Sequence, residues 1–118
     1  MSRYDMSPRR EIELKPLSEQ VLWILVSLAR EPQHGYSLMK DIEVLSEGRT
    51  RVSTGTLYGA IRRLIEDGSI EPIEIADTSR DKQTYRLTRS GRTRLQTELE
   101  RLQHVVRTAG IHVRRREA

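Results

Sequence analysis

The amino-acid sequence predicts a mainly α-helical fold with one small β-hairpin and a long last helix. Between residues 17 and 67, three stretches place apolar residues three and four positions apart, which is the spacing of an amphipathic helix. Residues 73–87 alternate apolar and polar side chains on either side of a polar connection, as paired strands do. After Leu95 the apolar spacing becomes heptad, as in a helix that packs against another helix.

Composition limits the class of protein before any element is placed. The chain has 118 residues, of which 32% are charged, so it can hold one compact domain with an extension. It has no cysteine, which excludes disulfides, thiol catalysis and thiolate metal sites. Because no stretch of about 18 apolar residues is present and no apolar region follows the first charges, we expect a cytoplasmic protein without a membrane span or a secretory signal.

The first two helices follow an N-terminal arm, which is predicted for residues 1–16. The first helix is predicted over Leu17–Arg30, and Ser18 is its expected N-cap. Residues 31–35 contain proline and glycine and therefore predict a turn. A second helix is predicted over Tyr36–Ser46, with its aliphatic residues facing inward.

The third predicted helix begins after Ser53 and ends at Gly68, and its outward face differs from its aliphatic inner face. Two glycines on an exposed helix face are unfavourable by about 1 kcal/mol each relative to alanine, and close approach of another backbone is one reason to accept that loss. Hydroxyl groups and free amides at a helix N-terminus favour an anion. The outward residues are Ser53, Thr54, Gly55, Thr56, Gly59, Arg62 and Arg63, with Tyr58 on the flank.

The hairpin is predicted from strands at Ile73–Ile75 and Tyr85–Leu87, with Pro72 placing the first strand at a sheet edge. Three helices followed by a hairpin is the element order of a winged helix-turn-helix, predicted here for residues 17–88. In that fold the third helix enters the DNA major groove, and the hairpin, or wing, lies along the phosphate backbone. Residues 49–68 carry four basic and two acidic side chains, which fits an anionic partner.

A long C-terminal helix is predicted for residues 89–110, with Thr88 as its N-cap, Gly110 as its end and a basic tail over residues 111–118. Its heptad positions form an apolar seam that a domain of this size leaves uncovered, so we expect a second copy of the chain to cover it. Trp23 lies opposite the core face of the first helix and is expected in the same dimer interface. The seam residues are Leu95, Leu99, Leu102, Val106 and Ala109.

Four ordered motifs between about Leu17 and Ala109 resemble the PadR family of transcriptional regulators. They are His34–Tyr36, Ser53–Tyr58, Ile61–Ile70 and Tyr85–Arg92. The resemblance implies a homodimeric transcription factor, usually a repressor, that binds a palindromic operator and is released by a small-molecule effector. The single C-terminal helix resembles the short PadR subfamily, in which the C-terminal helices of both subunits form the dimer core.

With this resemblance, the sequence predicts two groups of site residues, and no cofactor or metal is expected. Two acidic residues at the wing tip, Asp77 and Asp81, weaken the attraction of the wing to phosphate. A small hydrophobic or aromatic effector is expected near Trp23, Leu99 and Leu102. The DNA-binding candidates are Ser53, Thr54, Thr56, Tyr58, Arg62 and Arg63 in the third helix, and Arg80 and Lys82 in the wing.

Two other classes of function compete with a DNA-binding regulator. An enzyme is disfavoured, because the three histidines lack a metal-ligand spacing and no Gly-rich phosphate loop follows a strand. Glu100 and His104, at i and i+4, fit either a solvated pair or a metal shared across a dimer. The remaining alternative is a winged-helix module that binds protein without binding DNA, which the basic outward face of the third helix disfavours.

Overall fold

The computed structural model describes residues 15–74 and 83–117 of the chain. The predicted fold class is confirmed, because helices dominate and three short strands form one antiparallel sheet. Most of the predicted N-terminal arm and the wing residues Arg80 and Lys82 lie outside the described residues. In chain order the elements are α1 (Glu19–Arg30), β1 (Gln33–His34), α2 (Gly35–Leu45), α3 (Thr54–Glu66), β2 (Ile70–Ile73), β3 (Thr84–Leu87) and α4 (Arg89–Glu117).

The core lies where the inner faces of α1, α2 and α3 meet, as the apolar spacing of the three helices predicts. The strands close one side of this core with Ile70 and Tyr85. Aliphatic side chains supply nearly all of the packing, which agrees with a sequence that contains no phenylalanine. The buried helix residues include Ile24, Leu25, Leu28, Leu38, Ile42, Leu57, Ile61 and Leu64.

The sheet has the order β1–β3–β2 and differs from the prediction at two points. The sequence pattern places the first hairpin strand after Pro72, but β2 begins earlier, at the buried Ile70. Residues 33 and 34 were predicted in a turn, but they form a third strand beside β3. A strand of two residues is too short to show a periodic pattern, so spacing alone does not reveal it. Pro72 does lie in an edge strand, as predicted.

Side chains cap α1, α3 and α4 at the positions that the sequence indicates. Ser18, Ser53 and Thr88 each accept a hydrogen bond from a backbone N–H in the first turn of the helix that follows. The cap of α2 was not predicted, since the Nδ1 atom of His34 accepts a hydrogen bond from the backbone N–H of Ser37 at 3.3 Å. His34 therefore fixes the start of α2 directly after the short strand β1.

The last helix is longer than predicted, because α4 continues through Gly110 to Glu117. The predicted helix end at Gly110 is therefore wrong, and residues 111–117 are helical. A glycine inside a helix is unfavourable by about 1 kcal/mol relative to alanine, which is too little to end a helix of 29 residues. Despite its length α4 is too polar to cross a membrane, and the same holds for every other helix within the two described ranges.

The apolar seam of α4 is covered at its start by the same chain. Leu95 is only 5% exposed and belongs to the core, so the expectation that the whole seam is uncovered is wrong at this position. Glu98 is also buried and accepts hydrogen bonds from Arg101 and from the backbone of Leu17. The hydrogen bond from Arg101 holds the pKa of Glu98 below its ordinary value. We call residues 15–98 the body and residues 99–117 the distal arm.

Candidate nucleic-acid interface

The outward side of α3 forms one exposed surface that brings together the site residues predicted in this helix. Leu57, Ala60, Ile61 and Leu64 are buried on the opposite side, where they pack α3 into the core. Two guanidinium groups and several hydroxyl groups thus share one solvent-facing surface, which can bind phosphate oxygens or base edges. This surface, the α3 face, consists of Ser53, Thr54, Gly55, Thr56, Gly59, Arg62 and Arg63.

The hydroxyl groups at the N-terminus of α3 are partly engaged with one another. The Ser53 Oγ accepts a hydrogen bond from the backbone N–H of Thr56 at 3.2 Å and donates one to the Thr56 Oγ1 at 3.0 Å. The hydroxyl of Thr54 points to the Sδ atom of Met39 at 3.9 Å, which is a weak contact. All three residues are exposed, so their remaining hydrogen-bonding capacity is available to an anion at the positive end of the helix.

The two glycines of the α3 face make room for no other described residue of their own chain. A Cβ atom added to Gly55 would meet no described atom within 4 Å. A Cβ atom on Gly59 would meet only the guanidinium of Arg63, at 3.8 Å. Alanine would therefore fit at both positions and would favour the helix by about 1 kcal/mol each. The absence of side chains at these positions leaves the helix backbone open to a close approach from outside.

Tyr58 has a packing role that the sequence does not reveal. Its ring lies over Gly35, where an added Cβ atom would be 2.3 Å from the Tyr58 hydroxyl oxygen. Gly35 therefore leaves room for the Tyr58 ring, which would have to move if a larger residue replaced this glycine. Burial raises the pKa of Tyr85 above its ordinary value, and the nearby Tyr58 hydroxyl adds to that effect. Two of the motifs, His34–Tyr36 and Ser53–Tyr58, are thus linked by one contact.

Two exposed residues of α2 lie next to this contact and were not among the predicted site residues. Tyr36 is 56% exposed, and the ammonium group of Lys40 lies 4.8 Å from the centroid of its ring. This distance is within the range of a cation–π interaction, which fixes the positive charge above the ring. The signal in the sequence was the i, i+4 spacing of an aromatic and a basic residue on the polar side of a predicted helix.

The base of the wing is defined, although its two predicted site residues are not among the described ones. Strands β2 and β3 pair over four residues each, so the wing leaves the body at Ile73 and returns at Thr84. On the outer side of the hairpin, the Nε atom of Arg86 donates to the Glu71 carboxylate at 2.8 Å. Arg86 is thereby partly neutralised, and the contribution of Arg80 and Lys82 stays a prediction.

The seam of α4 becomes exposed in the distal arm. Val106 is 69% exposed, whereas Leu102 is half-buried. Because the helix does not end at Gly110, the heptad spacing continues beyond the predicted seam to Val113, which is also exposed. The stripe that the distal arm presents consists of Leu99, Leu102, Val106, Ala109 and Val113.

The three residues predicted near an effector do not share the hollow that lies beside Leu99. This open hollow has a volume of about 450 Å³ and is lined by Leu99 with Gln96, Glu100 and Gln103. Trp23 is half-buried against the core, and its Nε1 donates a hydrogen bond to the Glu19 carboxylate at 2.9 Å. An effector site that includes Trp23 and Leu102 therefore stays a prediction for the assembled protein.

A known protein family matches most of the body. The model of the transcriptional regulator PadR-like family matches residues 24–97, which extend from α1 into α4. The match includes the whole α3 face and both strands of the hairpin. A comparison with curated proteins found no match.

Comparison with solved structures finds the same fold in several regulators. A PadR family transcription regulator from Clostridium difficile R20291 superimposes with a TM-score of 0.69 at 18% identity, over 81% of this chain and 99% of the other. A transcriptional regulator from Clostridium thermocellum gives a TM-score of 0.65 at 22% identity, over 78% of this chain and 89% of the other. RosR of H. salinarum gives a TM-score of 0.58 at 22% identity, over 78% of this chain and 76% of the other.

Proposed function

The chain belongs to the PadR-like family of transcriptional regulators, which bind DNA, and from this premise we propose that α3 is its recognition helix. The observation that carries the assignment is the pair of glycines on the α3 face. Within residues 15–74 and 83–117, packing requires neither Gly55 nor Gly59, so an external surface that approaches the backbone accounts for their cost to the helix. The wall of a DNA major groove is such a surface.

The two arginines of the α3 face supply the chemistry that a groove requires. Arg62 and Arg63 are exposed and lie on the same side of α3 as the two glycines. A guanidinium forms two parallel hydrogen bonds with the O6 and N7 atoms of guanine, or binds phosphate oxygens through the same donors. The N-terminal hydroxyls of Thr54 and Thr56 lie at the positive end of the helix and suit a phosphate or a base edge.

In this arrangement α2, the first helix of the helix-turn-helix motif, contacts the phosphate backbone of the DNA. In helix-turn-helix proteins the first helix of the motif crosses the phosphate backbone, while the second, here α3, enters the groove. Tyr36 and Lys40 are exposed on α2, and their stacked arrangement presents one hydroxyl group and one positive charge. We assign both to phosphate contacts. Tyr58, which is 42% exposed, keeps its predicted contact with DNA and also packs α3 against Gly35.

A homodimer is the form of the protein that fits both the DNA site and the distal arm. The exposed stripe of the arm has the heptad spacing that pairs two helices. Two copies related by a two-fold axis present two α3 faces, which suits a palindromic operator. We propose that the dimer is a repressor released by a small hydrophobic or aromatic effector bound near the paired arms. The sequence places Trp23 opposite the core face of α1, but its ring packs partly against the core of its own chain, so only its exposed part is available to that interface.

The DNA assignment is tested by titrating wild-type protein and single variants against a duplex that the wild-type protein selects from random DNA. Arg62→Ala or Arg63→Ala is expected to weaken binding by about 1–3 kcal/mol and to relax the base preference if the arginine reads a base. If it binds phosphate, affinity falls for all sequences and the salt dependence becomes shallower. Arg107→Ala, an exposed arginine of the distal arm, is the matched control for loss of charge.

Two outcomes would overturn the DNA assignment. If Arg62→Ala and Arg63→Ala both bind DNA with wild-type affinity, the α3 face does not contact DNA. Failure of the wild-type protein to retain any duplex at low salt would instead favour the alternative, a winged-helix module that binds protein only.

The dimer is tested by placing negative charge on the stripe. Leu99→Glu combined with Leu102→Glu is expected to give monomers in sedimentation and to abolish operator binding, because two like charges would face each other across the paired arms. Leu102 is the less exposed of the two, so Val106→Glu, at a fully solvent-facing position, is the second variant. A dimer that persists at micromolar concentration in both variants would rule out the stripe as the interface.

A further inference from the structure

The C-terminal end of α3 is joined to the start of α4 by a group of polar contacts around one turn. The turn is Asp67–Ser69, which directly follows the last helical residue of α3. Gly68 has a φ of +81°, a left-handed conformation that ends the helix and directs the chain toward β2. The Asp67 Oδ1 accepts a hydrogen bond from the Ser69 backbone N–H at 3.0 Å and so holds the turn closed.

Thr88, the N-cap of α4, binds this turn through both its backbone and its side chain. The backbone N–H of Thr88 donates to the Ser69 carbonyl at 3.0 Å, and the Thr88 hydroxyl donates to the Gly68 carbonyl at 2.6 Å. The α4 backbone at Gly91 lies against the same carbonyl, since an added Cβ atom would be 2.0 Å from the Ser69 oxygen. No side chain fits between the two segments at this point.

Arg94 adds an ion pair to the junction. Its Nη1 donates to the Asp67 Oδ2 at 3.0 Å and to the Ser69 Oγ at 3.1 Å. The Arg94 and Asp67 side chains are only 13% and 19% exposed, whereas each other ion pair between described residues has a partner at least 43% exposed. A buried pair of this kind contributes little net stability, but its geometry allows few alternative arrangements. We call the contacts of Asp67, Ser69, Thr88, Gly91 and Arg94 the α3–α4 junction.

We infer that the α3–α4 junction sets the angle between the recognition helix and the dimerisation helix, and that Arg94 is a positioning residue for the spacing of the two DNA half-sites. The inference rests on the proposed function. In a two-fold dimer, two angles determine the position of each α3. One is the angle between the two paired α4 helices, and the other is the angle between α3 and α4 at this junction. A junction that cannot bend fixes the distance between the two recognition helices.

DNA makes this distance measurable. Each base pair added between two half-sites moves one of them by about 3.4 Å and rotates it by about 35° around the helix axis. A rigid dimer loses contacts when the spacer changes, because the second recognition helix no longer faces its half-site. A dimer with a loosened junction follows the moved half-site and tolerates the change. Loss of the junction therefore alters spacing preference, whereas loss of a DNA contact alters affinity at every spacing.

The experiment uses the duplex selected by the wild-type protein and four relatives with one or two base pairs added to or removed from the spacer. Wild-type affinity is expected to fall by about tenfold or more per base pair, the loss of one good base contact. Arg94→Gln is expected to bind the native spacing within about threefold of wild type but to lose most of the discrimination between spacers. Arg92→Gln removes an exposed arginine from the same helix and is the control that keeps the wild-type profile.

Two further variants keep the test decisive. Arg94→Lys retains one charged donor toward Asp67 and is expected to restore part of the spacing preference. Asp67→Asn keeps the acceptor for the Ser69 N–H but removes the charge, and is expected to resemble Arg94→Gln. These two carry the test if thermal unfolding shows Arg94→Gln unfolded at the assay temperature.

Each outcome separates this inference from the function on which it rests. Spacing profiles of Arg94→Gln and Asp67→Asn that match the wild-type profile, or that fall uniformly at all spacings, overturn the positioning role while leaving DNA binding intact. A wild-type protein that selects no duplex overturns the proposed function first, and the inference with it.

Discussion

The body and the distal arm share one helix, α4, and its apolar heptad seam, but the seam meets different surroundings in each. Leu95, at the start of the seam, is 5% exposed within the core of its own chain, whereas Val106 is 69% exposed. The spacing of apolar residues is the same in both regions. The comparison teaches that periodicity identifies the face of a helix that will be buried, and does not identify the surface that buries it.

The difference also separates two sources of helix stability. Most helical stability in proteins comes from packing of the apolar face, not from intrinsic propensity. The body supplies that packing for the start of α4, together with the polar contacts of the α3–α4 junction. Within the described residues the apolar stripe of the distal arm has no such packing, and we propose that the second subunit supplies it. We therefore expect mutations in the body to change the folding of one chain, and mutations in the arm to change association.

The largest effect is expected from matched substitutions by alanine in the two parts of the α4 seam, one in the body and one in the distal arm. Leu95→Ala should lower the free energy of unfolding by about 2–5 kcal/mol, because it leaves a cavity in the core. Val106→Ala should change it by no more than about 0.5 kcal/mol in protein diluted until it is monomeric. Urea unfolding at low and high protein concentration measures both. Equal losses of stability in dilute protein would contradict the distinction between body and arm.

A second pair compares two glycines of α4. Gly91→Ala forces a Cβ atom into the Ser69 carbonyl and should destabilise the chain by about 1–3 kcal/mol. Gly110→Ala meets only the flexible end of Arg114, at 3.2 Å, and should favour the helix by up to about 1 kcal/mol. Thermal unfolding followed by circular dichroism gives the sign of each change. A stabilising Gly91→Ala would show that the junction is looser than its geometry indicates.

Acid should unfold the body through two of its carboxylates. Burial raises the pKa of Asp41, but hydrogen bonds from Ser27, Arg30 and Gln33 outweigh it and hold that pKa below its ordinary value. The pKa of Glu98 is lowered as well. A carboxylate with a lowered pKa in the folded state stabilises it above the pKa of the unfolded chain, and this contribution is lost as the pH falls below about 4.

The measurement for this acid dependence is the melting temperature between about pH 7 and pH 3. Asp41→Asn should lower the free energy of unfolding at neutral pH by about 1 kcal/mol, the usual net contribution of a hydrogen bond. Its melting temperature should fall less steeply in acid than that of the wild type. An unchanged acid slope would show that the network around Asp41 does not contribute.

The smallest effect is expected from Trp23, the only tryptophan. In the proposed dimer its indole is covered by the partner, so emission should lie at short wavelength and shift red in the Leu99→Glu, Leu102→Glu monomer. The half-burial of Trp23 within one chain limits the size of the shift. Emission typical of an indole in water, already in the wild-type dimer, would remove Trp23 from the interface.

Local patterns allowed much of the body to be predicted from the sequence. The N-caps Ser18, Ser53 and Thr88 are confirmed because a cap depends on one side chain and the turn beside it. The α3 face is also confirmed as an exposed surface, since helical spacing alone decides which residues share a side.

The features that were missed depend on contacts between segments far apart in the sequence. β1 exists only because β3 pairs with it, and Tyr58 packs on Gly35 only because α2 and α3 cross there. Arg94 is one of 18 arginines, and nothing in its neighbours marks it as the partner of Asp67. The continuation of α4 past Gly110 does not follow from the local sequence, because the preference of one glycine against a helix is too weak to end a long one.

The edges of the small sheet bear on how the protein behaves at high concentration. One outer strand, β2, carries Pro72, which has no N–H to offer to a further strand. The other, β1, is two residues long and passes at once into α2. Short edges and edge prolines both prevent a sheet from templating another chain. Neither edge of the described sheet therefore offers a long strand that would nucleate aggregation, although the distal arm exposes an apolar stripe.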